Sequence, residues 1–130
     1  MIGFDDKHFA GIGIMDLKDK SNVEVLGELA CTINARRTED AASSYTASLL
    51  HKGVEACAKK FGEEAVELAL ASVSGDGKHV QAEAADVLYH LLVLLEASDV
   101  SLNDVLAELA RRQGTSGHVE KAARAKGKGG

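Results

Sequence analysis

Between Val54 and about Val73 the chain places Cys57, Phe61, Ala65, Leu68 and Ser72 at intervals of four and three, the rhythm that lays one stripe of a helix against a core. A long helix is predicted there. Ahead of it, Ser21-Asn22-Val23-Glu24 matches a capping box, in which the serine holds an early backbone N–H and the glutamate reaches back to the cap. The box starts a predicted helix from about Asn22 to Arg36, with Val25, Leu26, Leu29, Ala30 and Ile33 as its apolar stripe. Thr38 to Ser44 reads as a loop, and Tyr45 onward as a short helix halted at Gly53. Ser74-Gly75-Asp76-Gly77 offers two candidate C-cap glycines after the long helix. A further helix from about His79 to Ala97 becomes apolar all round at Leu91 to Leu95, which calls for burial on several sides and hence for cover from a second copy. Ser101-Leu102-Asn103-Asp104 caps a last helix that closes at Gly114. With no strand-like alternation, the expected fold is all-α, a bundle of about four helices completed by dimerisation.

At 130 residues the chain suits one hydrophobic core. Residues 1–20 show no sustained period and are expected to be a flexible N-terminal extension; its Gly11-Ile12-Gly13 lacks the strand and the third glycine that a phosphate loop requires. Residues 21–124 form the expected domain, and 125–130 a flexible basic tail. Aromatics at 4% and the absence of proline imply an aliphatic, alanine-rich core. A net charge of −5 argues against a nucleic-acid partner, which needs a basic face to displace counterions. Cys31 and Cys57 are far apart and make neither a zinc motif nor a disulfide framework. The opening residues build no apolar core of a leader peptide, and Leu91 to Leu95 is too short to span a bilayer, so a cytoplasmic chain with no membrane partner is expected.

The chemistry lies in the acids. On a wheel of about 100° per residue with Lys60 at zero, Glu63 falls near 300°, Glu64 near 40° and Glu67 near 340°, beside an apolar arc of roughly 60° to 140°. With Glu83 at zero on the next long helix, Asp86 falls near 300° and His90 near 340°, again beside apolar residues. Paired antiparallel, the two helices would bring Glu64 and Glu67 opposite Glu83 and Asp86, where like charges repel unless a cation lies between them. Hard oxygen donors of this kind select Mg²⁺, with Mn²⁺ as a substitute. A di-iron bundle would need Glu-x-x-His, but Tyr89 stands three after Asp86 and His90 four after it. Taken singly, a Glu-Glu-x-x-Glu helix is most often a solvated face; the second acid pair on the adjoining apolar helix is what changes the picture.

Glu63-Glu64-x-x-Glu67 followed by Glu83-x-x-Asp86 resembles the signature of the MazG-type all-α nucleotide pyrophosphohydrolases. The ordered set of Ser44-Tyr45-Thr46, Lys52-Gly53, Lys60-Phe61-Gly62-Glu63-Glu64, Glu83 to His90, and Ser116-Gly117 with Glu120-Lys121-Ala122 resembles, within them, the phosphoribosyl-ATP pyrophosphohydrolase family. The resemblance covers roughly Val25 to Arg124 and implies Mg²⁺-dependent hydrolysis of phosphoribosyl-ATP to phosphoribosyl-AMP and pyrophosphate, the second step of histidine biosynthesis.

On that basis Glu64, Glu67, Glu83 and Asp86 are the expected metal ligands, and Glu63 the residue that orients or deprotonates the water. Lys60 and Lys52 are candidate phosphate contacts, Arg36 and Arg37 candidates for the 5-phosphate, Tyr45 and Tyr89 candidates on the nucleotide, and His90 a candidate partner of Asp86 or contact to substrate phosphate. His51, His79 and His118 read as surface residues. Two other readings stand beside this one: a general (d)NTP pyrophosphatase of the same superfamily, and a non-catalytic helical dimerisation module whose acids are solvated.

Overall fold

The computed structural model describes residues 20–113 and the helical positions 124, 125 and 127. The predicted extension, the Gly114 stop, His118 and the Ser116 to Ala122 motif lie outside the described residues, as does the basic tail apart from positions 125 and 127. The described residues are all-α, with helices α1 (Lys20–Ala35), α2 (Tyr45–Lys52), α3 (Val54–Ser74), α4 (Gly77–Ala97) and α5 (Leu102–Arg112). None of the helices among the described residues is long and apolar enough to cross a membrane. Residues 21–102 form one compact unit, which holds the core and the candidate site. Most of α5 belongs to another unit; within it Glu108 meets Arg111 at 2.8 Å and Arg112 at 2.9 Å, and these guanidinium groups hold its carboxyl down at about 2.

Local chemistry sets where each helix starts and stops. Lys20 is already helical, so Ser21 lies inside α1 and is not its cap, and α1 gives way to a 3₁₀ turn at Arg36–Thr38. In the loop that follows, Asp40 accepts from Ala42 N–H at 3.0 Å and its carbonyl accepts from Ser43 Oγ at 2.9 Å, a local turn that competes with helix. Ser44 then caps α2 by accepting from Ala47 N–H at 3.2 Å. Gly53 joins α2 to α3 at φ 95° and ψ 179°, a backbone region essentially reserved for glycine. Because a Cβ there meets nothing within 4 Å, the penalty of a side chain is conformational alone. Gly53→Ala is expected to lower unfolding stability by about 1–3 kcal/mol, measured by urea titration.

The turn between α3 and α4 corrects the expected pair of C-caps. Gly75 takes the left-handed conformation and ends α3, but Gly77 opens α4. Asp76 between them is an N-cap, its Oδ1 accepting from Lys78 N–H at 3.1 Å and His79 N–H at 3.4 Å. Helix α4 therefore begins before His79, where the apolar rhythm placed it. One short turn folds α3 back on α4 as an antiparallel hairpin along which the two helices pack.

The core gathers Ile33, Leu49, Cys57, Leu92 and Val93, with Leu26, Leu29, Ala30, Leu50, Leu94 and Leu95 packed round it. Cys57 is buried as a protonated thiol: its Sγ donates to the Leu49 carbonyl at 3.3 Å, and burial pushes its pKa up. Ser72, expected on the buried stripe, is exposed, and Ala71 is buried in its place. The apolar run Leu91 to Leu95 finds its cover within the chain, from α1 and α2; Leu92 and Val93 are buried and none of the five is exposed. Its composition is thus no argument for a second copy. Exposed large apolar residues are found on several elements, among them Val25 on α1, Val54 at the start of α3, Val66 (59%), Leu70 (66%) and Val73 (87%) further along α3, and Leu88 (44%) on α4.

Candidate active site

Glu64 on α3 is buried at 8% relative exposure, and its only cation partner among the described contacts is Lys60, one turn earlier, at 3.2 Å. A carboxylate so placed needs compensating charge. Instead the antiparallel partner helix brings more acid: Glu64, Glu83 and Asp86 each offer an oxygen within 4.8 Å of the others. Helical spacing explains the pairing, since Glu83 and Asp86 are three apart on α4 and share the face it turns toward α3.

Glu83 carries the sharpest signal. Its Oε1 lies 3.4 Å from His79 Nε2, whereas its Oε2 is shut off from solvent with no hydrogen-bond partner. An unpartnered buried carboxylate oxygen is costly and calls for an explanation. Glu67 stands outside the trio of mutually close oxygens but adjoins it. The negative charges of Glu64 and then Glu83 raise its carboxyl pKa above the ordinary 4.5. All donors here are carboxylate oxygens, which suit a hard divalent cation and would relieve both the orphaned oxygen and the mutual repulsion.

The other predicted residues take distinct places. Glu63 is exposed, 4.0 Å from Lys60 and on the solvent side of the stripe. The lysine ammonium is favoured by its hydrogen bond to Glu64 and by the nearby Tyr45 and Glu63, so it stays charged beside the acids. His90 is buried near Glu64 and Asp86, and burial lowers its pKa and favours the neutral imidazole. Tyr45 and Tyr89 pack edge-on to that ring, at centroid distances of 6.2 and 4.9 Å. The Tyr89 hydroxyl shares a short hydrogen bond with Thr46, tying α2 to the helix that carries Glu83 and Asp86. Lys52 is exposed at the end of α2.

Arg36 and Arg37 already have carboxylate partners. Arg36 pairs with Glu39 at 2.6 Å, while Arg37 meets Glu96 at 2.6 Å and Asp99 at 2.8 Å at the C-terminal end of α4. His79 was read as a plain surface residue; it is largely exposed, yet it touches the cradle through Glu83. The signal for it was present in the sequence, as the i, i+4 spacing of His79 and Glu83.

Comparison with known proteins identifies the family. The family described as phosphoribosyl-ATP pyrophosphohydrolase matches residues 26–113, which include every acid of the cradle. A protein of Ruegeria pomeroyi named phosphoribosyl-ATP pyrophosphatase is 59% identical over 105 residues, covering 81% of this chain and 100% of the relative. Proteins of the same name from Rhodobacter capsulatus and Parvibaculum lavamentivorans are 61% and 58% identical, covering 76% and 82% of this chain and 96% and 94% of the relatives. A family match spanning residues 26–113, together with relatives of about 60% identity matched over nearly their whole length, places this chain in the phosphoribosyl-ATP pyrophosphohydrolase family.

Proposed function

We propose that this chain hydrolyses 1-(5-phosphoribosyl)-ATP to 1-(5-phosphoribosyl)-AMP and pyrophosphate, the second step of histidine biosynthesis, with Mg²⁺ held by Glu64, Glu67, Glu83 and Asp86. The observation that carries the reading is the buried, unpartnered Glu83 Oε2 inside a group of three converging carboxylates, in a chain of this family. When bound, the ion supplies charge neutralisation for the phosphates and polarisation of the phosphoryl group under attack.

The chain's own residues do the rest. Hydrolysis forms one P–O bond to water, breaks the bridging P–O bond of the α–β anhydride, and requires a group to accept the water's proton. Glu63, solvent-facing and one step round α3 from Glu64, is the residue we assign to orient that water and take the proton. Lys60 is the cation best placed for phosphate oxygens, a flexible point charge 3.2 Å from Glu64. Lys52 and Tyr45 are secondary candidates on the same side of the substrate, and His90 with Tyr89 supports the cradle from beneath. Of the arginines, Arg36 is the better candidate for the 5-phosphate, since it lies near Tyr89 and would exchange only Glu39, whereas Arg37 is tied to Glu96 and Asp99. Release of pyrophosphate from phosphoribosyl-ATP, measured with Mg²⁺ and again after chelation, tests the assignment.

The same chain is proposed to act as a homodimer, on a different footing from the apolar run of α4. Val66, Leu70 and Val73 follow one another at intervals of four and three along the outer face of α3, an apolar stripe in the form helix pairing uses. Light scattering at micromolar concentration is expected to give twice the chain mass; a clean monomer would contradict the proposal.

A further inference from the structure

In Ser44-Tyr45-Thr46 the serine caps α2 and the tyrosine is exposed in its first turn, whereas the part-buried threonine shares its hydroxyl hydrogen bond with Tyr89 of α4. Helix α2 has eight residues, too few to hold its shape alone in water, where roughly 12–15 are needed. What it packs on decides where it sits. Ala47, Leu49 and Leu50 give it an apolar seat, but apolar contact has no preferred direction. Thr46 stands three and four positions before Leu49 and Leu50, on the same face, and its hydrogen bond does have a direction. That bond fixes the rotation of the short helix against α4.

The rotation in turn places Tyr45. Its ring is 57% exposed, yet it lies edge-on to the buried His90 with centroids 6.2 Å apart and is near Lys60. His90 meets the Tyr89 ring at 4.9 Å, and Tyr89 meets Thr46, the chain neighbour of Tyr45. The four residues form a closed circuit of contacts. We infer that Thr46 is a positioning residue for the substrate: through its bond to Tyr89 it holds the first turn of α2 so that the Tyr45 ring stands beside Lys60, where substrate binds. The inference rests on the proposed function and adds to it a residue that does not touch the substrate. A ring already held in place has less freedom to lose when a ligand arrives, so binding gains while the reacting atoms feel no change. The effect falls on KM and spares kcat. A hydrogen bond that served the fold alone would move stability and leave KM where it was.

The test measures KM and kcat of the full chain for phosphoribosyl-ATP with Mg²⁺. Thr46→Val keeps the shape of the side chain and removes its hydroxyl; it is expected to raise KM about fivefold with kcat within about twofold, the scale of one hydrogen bond. Thr46→Ser, which keeps the hydroxyl, is expected to return KM to within about twofold of wild type. Tyr89→Phe removes the same bond from the other side and is expected to raise KM likewise, which covers a Thr46→Val chain that fails to fold. Because Thr46 acts through Tyr45, the Tyr45→Ala variant should have a raised KM of its own, to which Thr46→Val adds less than about twofold. A wild-type KM in both Thr46→Val and Tyr89→Phe, with only the melting temperature lowered, would overturn the inference. So would a full fivefold rise from Thr46→Val in the Tyr45→Ala background. Absence of turnover by the wild-type chain would bring down the proposed function and the inference with it, a different failure from an active chain whose KM ignores Thr46.

Discussion

Glu83→Gln is expected to lower Mg²⁺-dependent pyrophosphate release by at least about a thousandfold while circular dichroism remains helical, because several kcal/mol of charge stabilisation is lost at about 1.4 kcal/mol per factor of ten. The substitution keeps the shape of the side chain and removes one negative charge from a site where three carboxylates converge. It also places an amide N–H₂ where a buried oxygen has no partner, next to acids that accept hydrogen bonds. The metal-free variant is therefore expected to melt no lower than the metal-free wild type. Loss of activity through misfolding would give the opposite sign, so the melting temperature separates a ligand from a structural residue. Glu64→Gln should match the loss of activity but gain less stability, since Glu64 already has Lys60 as a partner.

Mg²⁺ is expected to raise the melting temperature of the wild-type chain by about 10 °C or more at a hundredfold excess over its dissociation constant. Such an excess contributes about 2.7 kcal/mol, and each kcal/mol shifts a domain of this size by roughly 4–8 °C. Glu83→Gln should show little shift. The effect has a pH direction set by Glu67, whose carboxyl is raised above 4.5 by Glu64 and Glu83. A carboxyl with a raised folded pKa favours the fold while protonated; that contribution is lost as pH climbs from its unfolded value through the raised folded one. The metal-free chain thus loses stability across that window, and the ion, which binds the ionised form, restores it. The Mg²⁺-induced shift should accordingly grow as pH rises from about 4.5 upward. Differential scanning fluorimetry at a series of pH values, with and without Mg²⁺, measures this.

The placement of the candidate-site acids was legible in the sequence because helical geometry converts spacing into direction. Glu64, nearest the apolar arc on the wheel, is the buried acid, and Glu63, farthest round from that arc, is exposed. The partner pair Glu83 and Asp86 was equally visible, since acids among apolar neighbours on a helix that packs lengthwise have few places to point. What was not legible came from competition between local signals and tertiary cover. Gly75 and Gly77 look alike in sequence, and the carboxylate of Asp76 between them decides that the first ends a helix and the second begins one. Leu91 to Leu95 looked too apolar for a single chain, because the depth of the α1 and α2 contact on it depends on folds of the backbone far away in sequence. Arg37 was a candidate for the 5-phosphate, and its partners Glu96 and Asp99 are about sixty positions on, beyond the reach of any periodicity argument, whereas Arg36 pairs with Glu39 only three positions on.

Pyrophosphate release from phosphoribosyl-ATP, followed with Mg²⁺, after chelation, and against ATP and dNTPs under the same conditions, tests the central claim most directly. Rapid release from phosphoribosyl-ATP that stops on chelation and returns with Mg²⁺ or Mn²⁺, with the ordinary nucleotides turned over far more slowly, is the predicted result. Undiminished release after chelation would contradict the carboxylate cradle as a metal site, and equal turnover of dNTPs would contradict the substrate.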